Sequence, residues 1–195
     1  ITIDEAELIK LFSNAFRYVN FSIANEFYMI CEQLNISFKK IRIHMRDGYS
    51  RSAPLPSAGF ASGPCLFKDT MQLSNYFDNS FLLGNSAIQI NENMPEFIFK
   101  RIKQKINLKN KTIGVLGLAF KAETDDIRDS LSIKLIKILK KNKINFCQSD
   151  EYYENKNNIS CNKLIKKSDI IVIGVMHKKY QKIKFPKDKI VINTW

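Results

Sequence analysis

The chain has 195 residues, 45% of them hydrophobic, and a formal net charge of +12 at neutral pH. This content is sufficient for one large or two small cores, and no apolar run approaches the length of a membrane span. Four cysteines without a CxxC pair argue against a disulfide framework and against a structural zinc site. We therefore expect a cytoplasmic protein with no metal site and no membrane partner.

The positive charge raises the question of nucleic-acid binding. Lys far outnumbers Arg, and the lysines are scattered over predicted helix faces and loops, as in KILKKNK at 137–143. No helix-turn-helix, zinc-finger or RNP pattern is present. We expect these lysines to be solvated, although they can help to hold an anion such as a nucleotide diphosphate. A basic nucleic-acid-binding protein is the remote alternative.

The first half of the chain is predicted to be helical. Residues 4–34 contain no Gly or Pro and carry apolar side chains on more than one face, so this helix must be buried in a bundle or against a second copy. Further helices are predicted over 38–45, 64–76 and 81–106, and Pro95 is expected to kink or split the last. By pattern the chain begins inside a helix and ends after an apolar run, which suggests a piece of a longer protein.

Beyond Lys111 the pattern changes to short apolar runs that alternate with helical segments. The runs are TIGVLGLAF, INFCQSD, DIIVIGV and KIVINTW, and this alternation predicts an α/β fold with a parallel sheet and right-handed crossovers. Ligands of such sheets bind at the carboxyl ends of the strands. Lys121, which follows the first strand, is therefore expected to lie near any ligand.

A dinucleotide fingerprint is only weakly indicated in this region. Gly114 and Gly117 lack the GxGxxG spacing and are followed by a long loop rather than by a helix. Asp150 ends the second predicted strand, as a ribose-binding acid would, but carboxylates also end strands for reasons of turn formation. These residues alone do not indicate NAD binding.

Cys65 is the strongest candidate for a reactive side chain. Gly63 and Pro64 predict a helix start, and the first turn of a helix favours an anion, so a cysteine there ionises more readily than a free one. The thiolate is the nucleophilic form. Lys68 and Asp69 follow at i+3 and i+4 on the same helix face, where a cation and a carboxylate can orient a water or move a proton.

The alternative for any single cysteine is a small buried hydrophobic residue. Cys31 lies in an apolar helical run and Cys147 in a predicted strand, so we expect both to be structural. Cys161 is predicted at a helix start but lacks the glycines and the charged neighbours. Only Cys65 combines these features.

Four segments together resemble the UDP-glucose/GDP-mannose dehydrogenase family of NAD-dependent nucleotide-sugar 6-dehydrogenases. They are Ala6–Phe16, Gly59–Thr70, Ile113–Ser130 and Asp169–Val175, and they include GxCxxKD followed by GxAFKxxTDDxRxS. The resemblance implies an all-helical central dimerisation domain at 1–108. A Rossmann-like parallel UDP-binding domain would follow at 109–195, clipped at its C-terminal end, with the N-terminal NAD-binding domain absent.

The same resemblance implies the catalytic roles. Cys65 would attack an aldehyde made by a first hydride transfer, and hydrolysis of the resulting thioester would release a uronic acid. Asp69 would position or activate the water, and Lys10 and Asn14, one turn apart on a helix, would stabilise the oxyanion and hold that water. For Lys10 the alternative is a surface ion pair with Glu7.

Binding roles follow from the same motifs. The nucleotide sugar would be contacted by Phe120, Lys121, Phe60 and Gly63, and the cofactor by Lys68 and Arg128. Arg51 would reach the sugar bound by the neighbouring subunit. Arg128 has the alternative of an ion pair with Asp125 or Asp129. The implied partners are a UDP-sugar, NAD and a second copy of the chain through the first helix. The GPCLFKDT sequence resembles the branch that acts on UDP-N-acetylhexosamines or other sugars, and UDP-glucose stays open as the substrate. A non-catalytic UDP-sugar-binding dimerisation module is the alternative function.

Overall fold

The computed structural model describes residues 1–76, 78–193 and 195. The α-helices in these residues are α1 (Ile3–Gln33), α2 (Phe38–Arg46), α3 (Pro64–Tyr76), α4 (Leu82–Lys105), α5 (Leu131–Lys141) and α6 (Cys161–Lys167). The strands are β1 (Thr112–Leu116), β2 (Asn145–Ser149), β3 (Ile170–Ile173) and β4 (Ile190–Asn193). Short 3₁₀ helices cover Ser50–Ser52 and Tyr180–Lys182. None of the described helices combines the length and apolarity needed to cross a membrane.

The chain forms two compact units that divide inside α4. The first, the helical unit, comprises residues 1–93 with Trp195, and the second, the α/β unit, comprises residues 94–194. The predicted fold class is confirmed, because the regular elements in the described residues of the first unit are helices and a parallel sheet lies in the second. The division at 108–109 stays a prediction about domains.

The start of α1 is defined by a capping box. The Thr2 hydroxyl accepts the Glu5 N–H, and the Glu5 carboxylate accepts the Thr2 N–H at 2.7 Å. These two bonds satisfy backbone donors that the first helical turn cannot pair internally. The expectation that the chain begins inside a helix is therefore wrong, since α1 begins at Ile3 with a complete cap.

The helical unit is organised around α1, which packs against α3. Two clusters of buried side chains join α1 to α3 and α4: Leu11 and Ala15 with Leu73, and Tyr18 with Leu66 and Ala87. Apolar side chains on other faces of α1 are exposed in the single chain, and their burial against a second copy stays a prediction. They are Ile9, Phe12, Phe16, Ile23, Phe27 and Ile30.

α4 passes through Pro95 without ending there. A proline inside a helix removes one backbone hydrogen bond, and Pro95 is buried at this position. The helix is therefore not split, although Pro95 lies within two residues of the point where the two units divide.

The α/β unit contains a four-stranded parallel sheet in the order β2-β1-β3-β4. All four strands were predicted from their apolar runs. The chain passes from β1 outward to β2 and then crosses to β3 on the other side of β1. The direction of winding therefore reverses between β1 and β3, which is where open α/β sheets bind ligands.

Candidate active site

The loop before α3 presents Cys65 to solvent. α3 begins at Pro64, as predicted, and Gly63 directly before it has φ +115°, a conformation that favours glycine. Of the four cysteines, Cys65 is exposed and Cys31 is buried. Burial raises the pKa of the Cys31 thiol. The chain thus separates one accessible thiol from a structural one.

Asp69 brings three of the predicted site residues together. Its Oδ2 accepts a hydrogen bond from Asn14 Nδ2 at 2.7 Å and lies 3.2 Å from Lys10 Nζ. The Asp69 side chain is 1% exposed, whereas that of Lys10 is 61% exposed. Lys10 therefore pairs with Asp69, and the alternative partner Glu7 does not take this place in the described residues.

The second oxygen of Asp69 is left available. Oδ1 is buried and has no hydrogen-bond partner among the described residues. Since a buried carboxylate is costly unless its oxygens are hydrogen-bonded, Oδ1 is an acceptor that favours a bound water or ligand group. Asp69 lies one helical turn after Cys65 on α3, so this acceptor belongs to the same helix end as the thiol.

Two buried asparagines hold the loop that leads to Cys65. Asn25 Oδ1 accepts the Gly59 N–H at 2.8 Å, and Asn25 Nδ2 donates to Asn91 Oδ1 at 2.8 Å. Asn91 Nδ2 donates in turn to the Tyr18 carbonyl oxygen at 3.1 Å. Both side chains are fully buried. Sequence analysis missed this chain of amides, because Asn25 and Asn91 each stand next to a glutamate and their local sequence does not indicate burial.

The remaining predicted residues of the helical unit differ in exposure. Phe60 and Gly63 are buried, whereas Arg51 and Lys68 are exposed. Arg42 Nε donates to the Leu55 carbonyl oxygen at 3.0 Å, which ties the loop after Arg51 to α2. The roles of these residues toward a sugar or a cofactor stay predictions.

In the α/β unit, the loops after β1 and β3 meet at very close range. A Cβ on Gly117 would lie 2.5 Å from the Val175 carbonyl oxygen, and a Cβ on Gly174 would lie 2.7 Å from the Gly117 carbonyl oxygen. A Cβ on Gly114 would clash with the Ser168 hydroxyl. These glycines are therefore explained by packing, and not by the close approach of a dinucleotide.

The Asp150 carboxylate accepts hydrogen bonds from the backbone of the loops that surround it. Its side chain is fully buried, and its donors include the backbone N–H groups of Leu118 (2.5 Å), Ala119 (3.2 Å), Tyr152 (2.8 Å) and Tyr153 (2.9 Å). Burial alone would raise the pKa of Asp150, but hydrogen bonds from His177 and from these backbone groups lower it to about 2. Of the two interpretations of Asp150, turn formation is favoured, and this residue does not fit a role on a ribose.

The loop from Gly117 to Asp129 carries the residues predicted to face the ligand. Lys121 is exposed, and its Nζ lies 5.4 Å from the centroid of the Phe120 ring. Arg128 forms a two-fold ion pair with Asp126, with Nη2 2.7 Å and Nε 3.0 Å from Oδ2. This pair lowers the pKa of Asp126. An ion pair of Arg128 was predicted with Asp125 or Asp129, and the structure shows one with Asp126.

Comparison with known proteins is consistent across both units. Residues 4–93 match the model of the central domain of the UDP-glucose/GDP-mannose dehydrogenase family, and residues 114–195 match the UDP binding domain of the same family. The chain belongs to this family. It is 32% identical over 185 residues to the UDP-N-acetyl-D-mannosamine dehydrogenase of Pyrococcus horikoshii, which covers 91% of this chain and 43% of that protein.

Solved structures agree with this membership. The structure of UDP-D-ManNAc dehydrogenase from Pyrococcus horikoshii has a TM-score of 0.78 at 31% identity, over 92% of this chain and 44% of that chain. That of a UDP-glucose dehydrogenase from Pyrobaculum islandicum has a TM-score of 0.85 at 22% identity, over 97% and 47%. The second likeness shows the fold alone. The chain spans a little under half the length of the relatives it matches.

Proposed function

We propose that the protein is an NAD-dependent oxidoreductase that converts a UDP-sugar into its uronic acid through a thioester on Cys65. The observation that carries this proposal is the buried Asp69 carboxylate, held by Lys10 and Asn14 one helical turn from the exposed Cys65. A thiol nucleophile next to a carboxylate with an available acceptor oxygen suits the formation and hydrolysis of a thioester. The family membership supports the class of substrate.

The residues of the chain have distinct roles in this proposal. The two oxidations would require two NAD⁺ molecules in succession, the first to take a hydride from the sugar alcohol and the second to take one from the adduct that Cys65 forms with the aldehyde. The Cys65 sulfur adds to the aldehyde carbon, and the Lys10 ammonium and the Asn14 amide stabilise the resulting oxyanion. Asp69 takes a proton from the water that attacks the thioester, and the C–S bond then breaks to release the acid and Cys65.

The nucleotide and the cofactor are assigned to different residues. We propose that Phe120 and Lys121 contact the nucleotide sugar at the carboxyl edge of the sheet, that Phe60 and Gly63 contact its sugar, and that Arg51 reaches the sugar bound by the neighbouring subunit. The α/β unit itself does not fit a dinucleotide, because Asp150 and the glycines are used internally. NAD would therefore be held by another part of the protein, with Lys68 and Arg128 reaching it.

The substrate is proposed to be UDP-linked, and two sugar classes compete. Relatives named UDP-N-acetyl-D-mannosamine dehydrogenase are 32% and 29% identical over nearly the whole chain. A relative named UDP-glucose 6-dehydrogenase YwqF, from Bacillus subtilis, is 32% identical over 67% of it. A relative named UDP-glucose 6-dehydrogenase, from Rickettsia bellii, is also 29% identical over 97% of the chain, so coverage does not separate the two sugar classes. We propose a UDP-N-acetylhexosamine on the GPCLFKDT sequence, with UDP-glucose as the second candidate.

A homodimer through α1 is part of the proposal. Phe12 and Phe16 are 54% and 68% exposed, and further apolar side chains of α1 are exposed beyond them. Exposed apolar surface of this kind marks an interaction site. Sedimentation of the chain beside Phe16→Asp tests the assignment: we expect a dimer that the substitution dissociates, and a monomeric parent chain would contradict it.

The activity is tested on the protein encoded by the complete gene. We expect NADH formation with a UDP-N-acetylhexosamine or with UDP-glucose, and loss of turnover in Cys65→Ser but not in the control Cys161→Ser. Binding of UDP without any NADH would instead support the non-catalytic binding module. Strongly salt-dependent RNA or DNA binding without affinity for UDP would support the nucleic-acid alternative.

A further inference from the structure

His177 is a fully buried side chain that the proposed reaction does not use. It follows β3 at the carboxyl edge of the sheet. Its ring packs against the rings of Tyr152 and Tyr180, with centroids 4.9 Å and 5.0 Å away. Because these contacts fix the imidazole, its two nitrogens point at defined partners.

The partners of His177 assign the roles of its two ring nitrogens. Nδ1 accepts the backbone N–H of Glu123 at 3.0 Å, and Nε2 lies 3.3 Å from Asp150 Oδ2. A backbone N–H can only donate, so Nδ1 must be unprotonated and the proton of the neutral ring is on Nε2, which donates to Asp150. One neutral tautomer of His177 thus joins the loops that follow β1, β2 and β3.

Glu123 is held from several directions. Its Oε1 accepts the Lys178 N–H at 3.0 Å, and its Oε2 accepts the Tyr152 hydroxyl at 2.8 Å. These bonds lower the pKa of the Glu123 carboxyl. The backbone of Glu123 has φ +60°, which is uncommon outside glycine and persists only where the surroundings impose it.

We infer that His177 is a positioning residue for the loop that carries Lys121. By holding the Glu123 backbone two residues further on, it fixes Lys121 beside the point between β1 and β3 where the winding reverses. The ligand class is the diphosphate of a nucleotide sugar, so this inference rests on the proposed function of Lys121. The loops that His177 joins are the ones that border this ligand-binding position.

Two substitutions each remove one hydrogen bond of His177 and keep the other. His177→Asn keeps an acceptor near the position of Nδ1 and loses the bond to Asp150, whereas His177→Gln keeps a donor near Nε2 and loses the acceptor for Glu123. Calorimetric titration of the whole chain with UDP is expected to give a roughly tenfold weaker affinity for His177→Gln, with His177→Asn within about threefold of the parent. His44, which is exposed on α2, supplies the control His44→Gln, and Lys121→Ala the positive control.

Amide hydrogen exchange at Glu123 decides the inference independently of UDP. We expect slow exchange in the parent and in His177→Asn and fast exchange in His177→Gln. Equal exchange or equal UDP affinity in the two variants would overturn the positioning role. If the parent does not bind UDP at all, the proposed function fails, while exchange still shows whether His177 holds the loop. Should a variant not fold, ¹⁵N spectra of the parent show which ring nitrogen of His177 carries the proton. A protonated Nδ1 contradicts the inference.

Discussion

Asn14 donates a hydrogen bond to Asp69 at 2.7 Å, joining α1 and α3 across 55 positions of the chain. The same carboxylate oxygen meets the Lys10 ammonium, so the charge of Asp69 is buried but paired. This contact fixes the orientation of the carboxylate and leaves Oδ1 as its available acceptor. The bond therefore has both a structural and a proposed catalytic consequence, and measurements can separate the two.

Removing the amide of Asn14 tests this double role. Asn14→Ala is expected to lower the free energy of unfolding by about 2 kcal/mol, because a buried charged acceptor loses a donor. In the complete protein, kcat should fall by roughly tenfold or more with little change in KM, since the donor acts on the transition state. The control is Ser13→Ala, whose hydroxyl is exposed and bonds to its own helix. A fall in stability with unchanged kcat would restrict Asn14 to a structural role.

The buried amides are expected to control the reactivity of Cys65. Asn25→Ala removes the acceptor of the Gly59 N–H and the donor to Asn91 Oδ1, which should cost about 1–3 kcal/mol of unfolding free energy. It should also change the rate at which Cys65 reacts with a thiol reagent, as the preceding loop loosens. Asn20→Ala on the same helix is the control, because Asn20 bonds only to a carbonyl of α1 in the described residues. If Cys65 reacts with the thiol reagent at the same rate in Asn25→Ala as in the parent, the buried amides do not control its reactivity.

The lowered pKa of Asp150 is expected to make the free energy of unfolding depend on pH. Its pKa falls from an ordinary value of 3.8 to about 2, which corresponds to about 2 kcal/mol of stability. Since the folded pKa is the lower one, this contribution is complete above about pH 4 and is lost as the pH falls through about 2. Asp150→Asn should therefore be roughly 2 kcal/mol less stable than the parent at pH 7, and the gap should narrow below pH 4.

Urea unfolding of the parent and of Asp150→Asn across this range provides the measurement. The matched control is Asp188→Asn, because the Asp188 side chain is 72% exposed and ends a surface ion pair. A gap between parent and Asp150→Asn that stays constant from pH 7 to pH 2 would show that the ionised carboxylate is not the source of the stability.

The cysteines should differ in their rates of alkylation. Cys65 is exposed, whereas burial raises the pKa of the Cys31 and Cys161 thiols and so lowers their thiolate fractions. Under brief treatment with iodoacetamide near neutral pH, we expect Cys65 to be modified first. Peptide mass spectrometry measures the order, and modification of Cys31 or Cys161 at the same rate would contradict it.

Most elements of the fold were predicted from local sequence patterns. The start of α3 followed from Gly63 and Pro64, and each strand followed from a short apolar run, because these signals depend only on neighbouring residues. The cap of α1 was equally readable, since Thr2 and Glu5 form the S/T-x-x-E pattern, but it was overlooked.

Contacts between elements that are distant in the sequence could not be predicted from such local patterns. The approach of Asn14 to Asp69 depends on how α1 packs against α3, and the family resemblance alone placed them in one site. Nothing local indicates that His177 meets Glu123 and Asp150, because their contact follows from the order of strands in the sheet. The pairing of Asn25 with Asn91 likewise depends on the crossing of two helices.

The most direct test of the account is a search for a sugar covalently attached to Cys65. In the complete protein, Asp69→Asn should slow hydrolysis and so accumulate the thioester during reaction with NAD and the preferred UDP-sugar. Intact mass spectrometry and peptide mapping should then find the acyl adduct on Cys65, and none in Asp69→Asn combined with Cys65→Ser. Unimpaired turnover of Asp69→Asn without an adduct, or an adduct on another residue, would contradict the thioester mechanism.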